Sequence, residues 1–350
     1  MQASDLYRAA GSSYRQRQRR HGWLLLAGAA LCLCLLVLDI ATGPSAIGLA
    51  EVVHTLLQPE AGDSATRTIV MSMRLPVALM ALAVGAALGL GGAEMQTLLN
   101  NPLASPYTLG LAAAAGFGAA LTLYFDGFGL PVLIAVPLGG FLFCMLAASL
   151  LFALAFVPRA GAHVLVLAGI SLLFLFQAML SLLQFISSPE LSQQITFWLF
   201  GSLLRSTWHS LACLAAVLLA CGTLLLRDAW KLTALNLGEE RAASLGVDVR
   251  RLRLKTLSLV SLLTATAIGF VGVIGFIGLV SPHIARMLVG ADQRFFLPLS
   301  MLCGAALLSA ASVLSKILLP GAIFPIGIVT ALVGVPFFFA LIINGVRRHA

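Results

Sequence analysis

Charge is what this sequence has least of. Only 10% of its 350 residues are charged, 60% are hydrophobic, and the mean hydropathy is +1.02. Soluble domains carry about 25% charged residues, so a soluble chain of two or three domains is excluded. Long polar stretches are missing too. No segment outside the apolar runs is long enough to bury a core of its own, so no nucleotide-binding or ligand-binding domain is expected in this chain. Catalytic motifs are equally scarce. There is no His-Glu-x-x-His, no Gly-x-Ser-x-Gly and no Gly-x-x-x-x-Gly-Lys-Ser/Thr to cradle ATP phosphates. The six histidines are dispersed, which leaves an intramembrane hydrolase or a redox carrier without paired ligands. All six cysteines fall inside apolar segments and read as small buried hydrophobes. Cys32-x-Cys34 has no neighbouring His, Asp or Glu, so no metal site is expected there.

What the chain has in abundance is apolar runs of about 20 residues, the length that crosses a hydrocarbon core of about 30 Å. Ten spans account for them, at roughly 23–41, 73–98, 107–125, 130–157, 164–187, 208–226, 256–272, 274–290, 298–317 and 326–346. The expected fold is an all-α polytopic membrane protein with ten transmembrane helices. A basic segment (1–22) precedes the ten-span domain (23–346), whose longest loop covers 227–255, and a short tail (347–350) follows. No Ala-x-Ala cleavage site follows the first apolar run, so it reads as an uncleaved span with its basic flank in the cytoplasm. On that topology all but four of the 21 lysines and arginines fall on or near the inner side; the exceptions are Arg67, Arg74, Arg205 and Lys316. This is a strong positive-inside bias and places both termini in the cytoplasm. The formal charge of +8 is thereby spent on orientation in a lipid bilayer. No groove-sized basic patch remains for nucleic acid.

Between the spans, AIGLAEVVHTLL in the outer segment 42–72 has an amphipathic pattern suited to the interface. The outer segment 188–206 begins a run, FWLFGSLLRSTW, too short to cross and expected to be anchored by Trp198 and Trp208. The stretch Arg74–Gly110 joins an Arg-x-Pro start, a span thinned by Gly85, Gly89, Gly91 and Gly92, and the turn Asn100–Pro106. A second segment, Lys255 to Ala285, has a similar basic start, glycine-rich stretch and proline break, but begins on the opposite side. That is the pattern of an inverted repeat of five plus five spans. In it Gly269, Gly272, Gly275 and Gly278 recur at every third residue, a spacing that serves close packing or a pathway whose walls shift. Intramembrane acids number two, Asp39 near the outer end of the first span and Glu94 in the second; Glu94 lines a pathway or pairs with a neighbouring helix. A stand-alone secondary transporter would need more. In the inner loop, Leu237–Gly246 reads as a short helix closed by a glycine, with a surface suited to docking a soluble partner.

Many separate anchors agree with one family. Arg74-x-Pro76, Gly85, Gly92, Gln96, Asn101-Pro102-Leu103-Ala104, Leu109-Gly110, Gly238-Glu239, Ala242, Leu245-Gly246, Gly275-Phe276-Ile277-Gly278, Pro282-His283-x-x-Arg286, Gly290-x-Asp292-x-Arg294 and Pro325-x-Gly327-Ile328-Val329-Thr330 stand in order and at family spacing. From about residue 70 onward the chain resembles the FecCD-type permeases, the membrane subunits of ABC importers for ferric siderophores, haem and cobalamin. The resemblance implies a type II ABC importer permease fold in a bacterial cytoplasmic (inner) membrane, paired with a second permease copy or paralogue. It also implies two cytoplasmic ATPase subunits, where ATP and Mg would bind, and a periplasmic substrate-binding protein. The permease itself would hold no cofactor and have no enzymatic site. By the same resemblance Gly238, Glu239, Ala242, Leu245 and Gly246 form the helix that couples to the ATPase. Asn101, Pro102 and Leu103 contribute to the cytoplasmic gate. Arg74 and Lys316 receive acidic residues of the binding protein, with Arg67 or Arg205 as helpers. Gln96, Gly275, Gly278, Pro282 and His283 join Glu94 as pathway or packing positions. Three positions depart from the pattern: Val77 stands where the family often has Arg, Ile323 where it often has an acid, and Ser312 where it often has Asp. Lys316 replaces the more usual Arg and loses its bidentate fork. The segments Ser105–Gly110 and Phe197–Leu203 look most like siderophore permeases, which makes an iron chelate the expected cargo, with haem or cobalamin as alternatives.

Overall fold

The computed structural model describes residues 2–44, 47–58, 63–155, 162–318 and 322–349, with side chains at 16–44, 47–58, 63–154, 163–318 and 322–340. Every long element among them is a helix. In chain order these are α1 (Gln2–Ala41), α2 (Leu49–Leu57), α3 (Ser64–Arg67), α4 (Leu75–Leu98), α5 (Leu111–Tyr124), α6 (Val132–Ala155), α7 (Ala162–Ile186) and α8 (Pro189–Leu199). There follow α9 (Trp208–Arg227), α10 (Ala229–Leu235), α11 (Glu239–Ser244), α12 (Val249–Val271), α13 (Ile277–Val289), α14 (Gln293–Ile317) and α15 (Ile326–His349). The inner segment around 158–163 and the tail lie largely outside the described side chains.

Seven helical stretches among the described residues are long and apolar enough to cross a membrane: Gln16–Ala41, Ser64–Leu98, Val132–Leu154, His163–Ile186, Trp208–Arg227, Val249–Val271 and Gln293–Ile317. Shorter apolar helices, Leu111–Tyr124, Ile277–Val289 and Ile326–Ala340, stand at the other three places where spans are expected. Two of them are short because their entries are not helical. α5 follows a hydrogen-bonded turn that ends at Gly110 in the left-handed region (φ 78°). α13 follows a break at 272–276, where Gly272 (φ 79°) and Phe276 (φ 67°) both leave helical geometry. The expected boundary at 73 also moves. The second span begins at Ser64, because α3 runs through a π-helical turn (Thr68–Arg74) directly into α4. The basic N-terminal segment is likewise helical and continuous with the first span.

α4 is the centre. In its segment 78% of the best apolar stretch is buried inside the chain, against 17% for the first span. The reason is glycine at the contacts. A β-carbon added at Gly85 would overlap the Gly304 carbonyl, one at Gly89 the Ser300 carbonyl, and one at Gly92 the Gly278 carbonyl. α4 therefore meets α14 and α13 backbone to backbone, the close approach that small residues allow in membranes. On a third face Gly91 packs towards Val260 and Thr264 of α12. The every-third-residue glycines do not share one partner. Gly269 meets the Pro137 carbonyl, Gly272 the Trp198 carbonyl, Gly275 the ring of Tyr107, and Gly278 the Leu88 carbonyl.

Outer segments bond to outer segments and inner to inner. Ser202 N–H donates to Val271 O at 2.7 Å, Gly327 N–H to Phe200 O at 2.9 Å and Phe324 N–H to Ser315 O at 3.0 Å. At the other end Asn236 Nδ2 donates to Ala291 O at 3.3 Å. This agrees with the alternation that the charge bias implies. Two local expectations change. Trp198 is buried against Gly140 rather than anchored at an interface, while Trp208 is exposed. Cys34 and Cys213 are exposed on the outside of the bundle, whereas Cys32, Cys144 and Cys221 are buried.

The glycine contacts give a direct test. Gly92→Ala must push α4 and α13 apart and should destabilise the protein by about 1–3 kcal/mol, as overpacking does. Gly22→Ala, inside α1 and meeting nothing within 4 Å, should be neutral or stabilising by up to about 1 kcal/mol. Thermal unfolding of both variants in detergent reads the difference, and equal midpoints would remove the close-contact account.

Candidate functional site at the two ends of the central helix

At the end of the bundle that the charge bias assigns to the outside, two of the expected docking cations turn inward. Arg74 is buried, and its Nη1 donates to the carbonyls of Ile40 at 2.9 Å and Ala41 at 3.2 Å. Those are the last carbonyls of α1, which have no partner inside their own helix and lie at its negative dipole end. Gly43 packs directly on the guanidinium. Lys316, in the last turn of α14, donates from Nζ to Asp39 Oδ1 at 2.6 Å and to Asp39 O at 2.9 Å. Ser312 Oγ donates to the same Oδ1 at 2.9 Å. The Asp39 side chain is fully buried and that of Lys316 is 6% exposed. The end of the first span is thus held by a cation from α14 and another from the start of α4. Arg67 is exposed in the last turn of α3.

Beside this clamp lies an outer cavity of about 350 Å³, lined by Val77, Phe197, Leu204, Arg205, Ile323 and Phe324 among others. Lys316 borders it as well, and no acidic side chain does among the described residues.

In the middle of α4, Glu94 is fully buried and neither carboxylate oxygen has a hydrogen-bond partner among the described residues. It lies one turn beyond Leu90, which faces Gly222 of α9, and beyond Gly91, which faces α12. Glu94 therefore points to the α9–α12 groove. Gln96 lies on another face and donates from Nε2 to Leu279 O of α13 at 3.3 Å. Pro282 is buried within α13, one residue after Ser281, whose Oγ donates to Ile277 O at 2.6 Å; His283 is half-buried.

The inner end is a knot of polar contacts. Asn101 Oδ1 accepts from Leu103 N–H at 2.9 Å, and Ala104 N–H donates to Asn101 O at 3.1 Å. These bonds fix the turn after α4, with Pro102 and Leu103 exposed. Gln293 Nε2 donates to Thr97 Oγ1 at 2.9 Å, and its backbone N–H donates to Thr233 Oγ1 of α10 at 3.2 Å. The start of α14 and the last turn of α10 are thereby tied to the end of α4.

The short helix α11 has a glycine at each end. Gly238 (φ 101°) sits at its N-cap and Gly246 (φ 83°) just beyond Leu245. Val247 N–H donates to Ala242 O at 3.1 Å and Gly246 N–H to Ala243 O at 2.9 Å. This is a Schellman ending, which needs the left-handed residue that Gly246 supplies. Ala242 is buried, while Glu240, Arg241, Ala243, Ser244 and Leu245 face outward. The Glu239 carboxylate pairs with Arg253 of α12, whose side chain is 9% exposed. Nearby, Asp228 bridges Lys231 at 2.7 Å and Lys255 of α12. Burial pushes the Asp228 carboxyl up, but hydrogen bonds and charge from the two lysines outweigh it and hold it below the ordinary carboxylate value. A capped helix with one buried and one exposed face, braced to the first turns of a span, can transmit a push from a soluble partner.

The family model described as the FecCD transport family matches residues 31–344. The chain belongs to that family. FecCD relatives include the hemin transport system permease HmuU of Yersinia pestis, 36% identical over 89% of this chain and 94% of that protein. The molybdate import permease MolB of Haemophilus influenzae is 37% identical over 80% of this chain and 82% of its own length. Among solved structures, a metal-chelate-type ABC transporter in an inward-facing conformation superposes with a TM-score of 0.82. It is 33% identical and covers 92% of this chain and 99% of that one. This FecCD chain is therefore a multi-pass membrane protein and the permease of an ABC importer.

The sequence shows Asp39 and Lys316 only as separate charges and does not reveal that they pair. The available signal was depth: both sit at the outer ends of their spans, so topology puts them at one level. The roles of Asp228 and Gln293 had no comparable signal. Replacing Lys316 with Met should cost about 3–5 kcal/mol by leaving the buried Asp39 charge unpaired. The double variant Asp39→Asn/Lys316→Met should recover most of that loss, measured by thermal unfolding in detergent. A double variant as unstable as the single would contradict the pairing account.

Proposed function

We propose that this permease imports an iron chelate, a ferric siderophore, from periplasm to cytoplasm by alternating access between ten spans arranged as two inverted sets of five. Two copies, or one copy and a paralogue, would enclose the pathway. Two cytoplasmic ATPase subunits would hydrolyse ATP with Mg, and a periplasmic protein would deliver the cargo. The observation that carries this reading is α11: a short helix, capped by glycine at both ends, exposed on one face and anchored to α12 by Glu239–Arg253. Closing of an ATPase dimer would move α11, and the bonds through α10 and Gln293 would pass that movement to the inner end of α4. There the Asn101–Leu103 turn would open or close the inner gate. A partner can drive such a change only if it binds one state better than the other.

The iron-chelate reading rests on the resemblance of Ser105–Gly110 and Phe197–Leu203 to siderophore permeases and on likeness to a metal-chelate-type transporter. Haem is the second reading, supported by likeness to the Yersinia hemin permease, and cobalamin the third. Docking through Arg74 and Lys316 would require their bonds to the end of α1 to open. Ligand binding by the cognate periplasmic protein separates the cargoes.

Leu245→Asp should abolish ATP-coupled uptake in proteoliposomes by at least about tenfold while the permease still unfolds at its usual temperature. Leu245 is exposed and its loss removes no core contact, so the effect should fall on coupling alone. Uptake at the normal rate in this variant would reject α11 as the coupling element.

A further inference from the structure

We infer that the seam between α4, α9 and α12 is a monovalent-cation site, with Glu94 and Thr264 as oxygen donors and sodium as the ion it takes. Such an ion would be resident in the fold, whatever the cargo.

Glu94 is fully buried, and both of its carboxylate oxygens lack a hydrogen-bond partner among the described residues. Thr264 is equally enclosed, and its Oγ1 has no partner there either. The two meet across a glycine. A β-carbon added at Gly91 would stand 3.4 Å from Thr264 Oγ1 and 3.3 Å from Val260 Cγ1. Glu94 follows about one turn later on that side of α4, and helical side chains lean towards the N-terminus of their helix. Its carboxylate therefore reaches back beside Gly91, where no α4 side chain separates it from Thr264. From α9, Gly222 leaves room on the other flank, its β-carbon position 3.7 Å from Leu90 Cδ2. Ser261, buried about one turn inward of Thr264 on α12, brings a second hydroxyl to the seam.

An ionised carboxylate withdrawn from water is sustained only by a paired charge. No lysine or arginine bonds Glu94 among the described residues; Lys231 and Lys255 are both turned to Asp228. Oxygens that share a seam without bonding one another leave their lone pairs to an ion, whereas a proton would join two of them in a hydrogen bond. The donors are hard oxygens. No group of three His, Cys, Asp or Glu stands together among the described residues, so transition metals lack a ligand set. One carboxylate balances one positive charge, while calcium or magnesium would leave an excess and call for more oxygens. Both carboxylate oxygens are closed to water, which favours the smaller sodium over potassium. An ion here joins the central helix to α9 and α12, the spans between which α10 and α11 are carried.

The test is thermal unfolding of the full-length permease in detergent, in sodium, potassium or N-methylglucamine chloride at equal ionic strength. Sodium should raise the wild-type midpoint saturably, by at least about 3 °C over the other two salts. Glu94→Gln keeps the shape and removes the charge, so it should unfold at one temperature in all three. Thr264→Val should need at least about tenfold more sodium for half the effect. Equal wild-type midpoints in the three salts would overturn the inference and assign the neutralising charge to a proton. A sodium effect that persists in Glu94→Gln would overturn it too, as would equal stabilisation by potassium. If Glu94→Gln does not fold, equilibrium binding of radioactive sodium to the wild type decides: one ion per chain supports the site, and none removes it.

Discussion

The backbone contact of α4 with α13 and α14 is the constraint on which the other features depend. In a bilayer the lipid tails are as apolar as the side chains, so helices associate by close packing and polar bonds rather than by the hydrophobic effect. Gly85, Gly89 and Gly92 let the α4 backbone touch carbonyls of Gly304, Ser300 and Gly278 with no side chain between. A helix seated in this way cannot bend at its middle without opening those contacts. Its outer and inner ends are therefore held in a fixed relation.

Each end of α4 is then tied to other elements by polar groups withdrawn from water. Outside, Arg74 satisfies the last carbonyls of α1, and Asp39 of α1 is paired with Lys316 of α14. Desolvating such groups costs several kcal/mol per ion, offset here by charge pairing and by three hydrogen bonds to Asp39. Inside, Gln293 ties α14 and α10 to Thr97, and Asp228 ties the end of α9 to Lys255 of α12. The inner ties are less enclosed than the outer pair: the lysines of Asp228 are each 40% exposed. Movement is thus easier to start from the α11 side, where a soluble ATPase would press.

Much of this was legible in the residues. Apolar runs located the apolar helices, seven of them long enough to cross a membrane, because length and hydropathy are local properties of the chain. The α11 helix was readable from Gly238 and Gly246, which mark the left-handed positions at its two ends. The buried pair was not, since Asp39 and Lys316 are 277 residues apart and only packing brings them together. The extension of the second span back to Ser64 was hidden by the polar sequence Ser-Ala-Thr-Arg-Thr, which reads as loop although Asp63 caps it as a helix. Trp198 reads as an interface anchor by residue type, but Gly140 makes room for its ring inside the bundle.

The strongest rival, a secondary transporter working alone, would place several ionisable groups along a pathway. Among the described residues the acidic groups of the spans are Asp39, already paired with Lys316, and Glu94, enclosed between helices, while α13 adds half-buried His283 and Arg286. The direct measurement is uptake by proteoliposomes containing the permease and its ATPase, with a ferric chelate presented on the binding protein. The account requires accumulation that depends on ATP inside and is unaffected when ion gradients are collapsed. Accumulation without ATP that disappears with the proton or sodium gradient would contradict it.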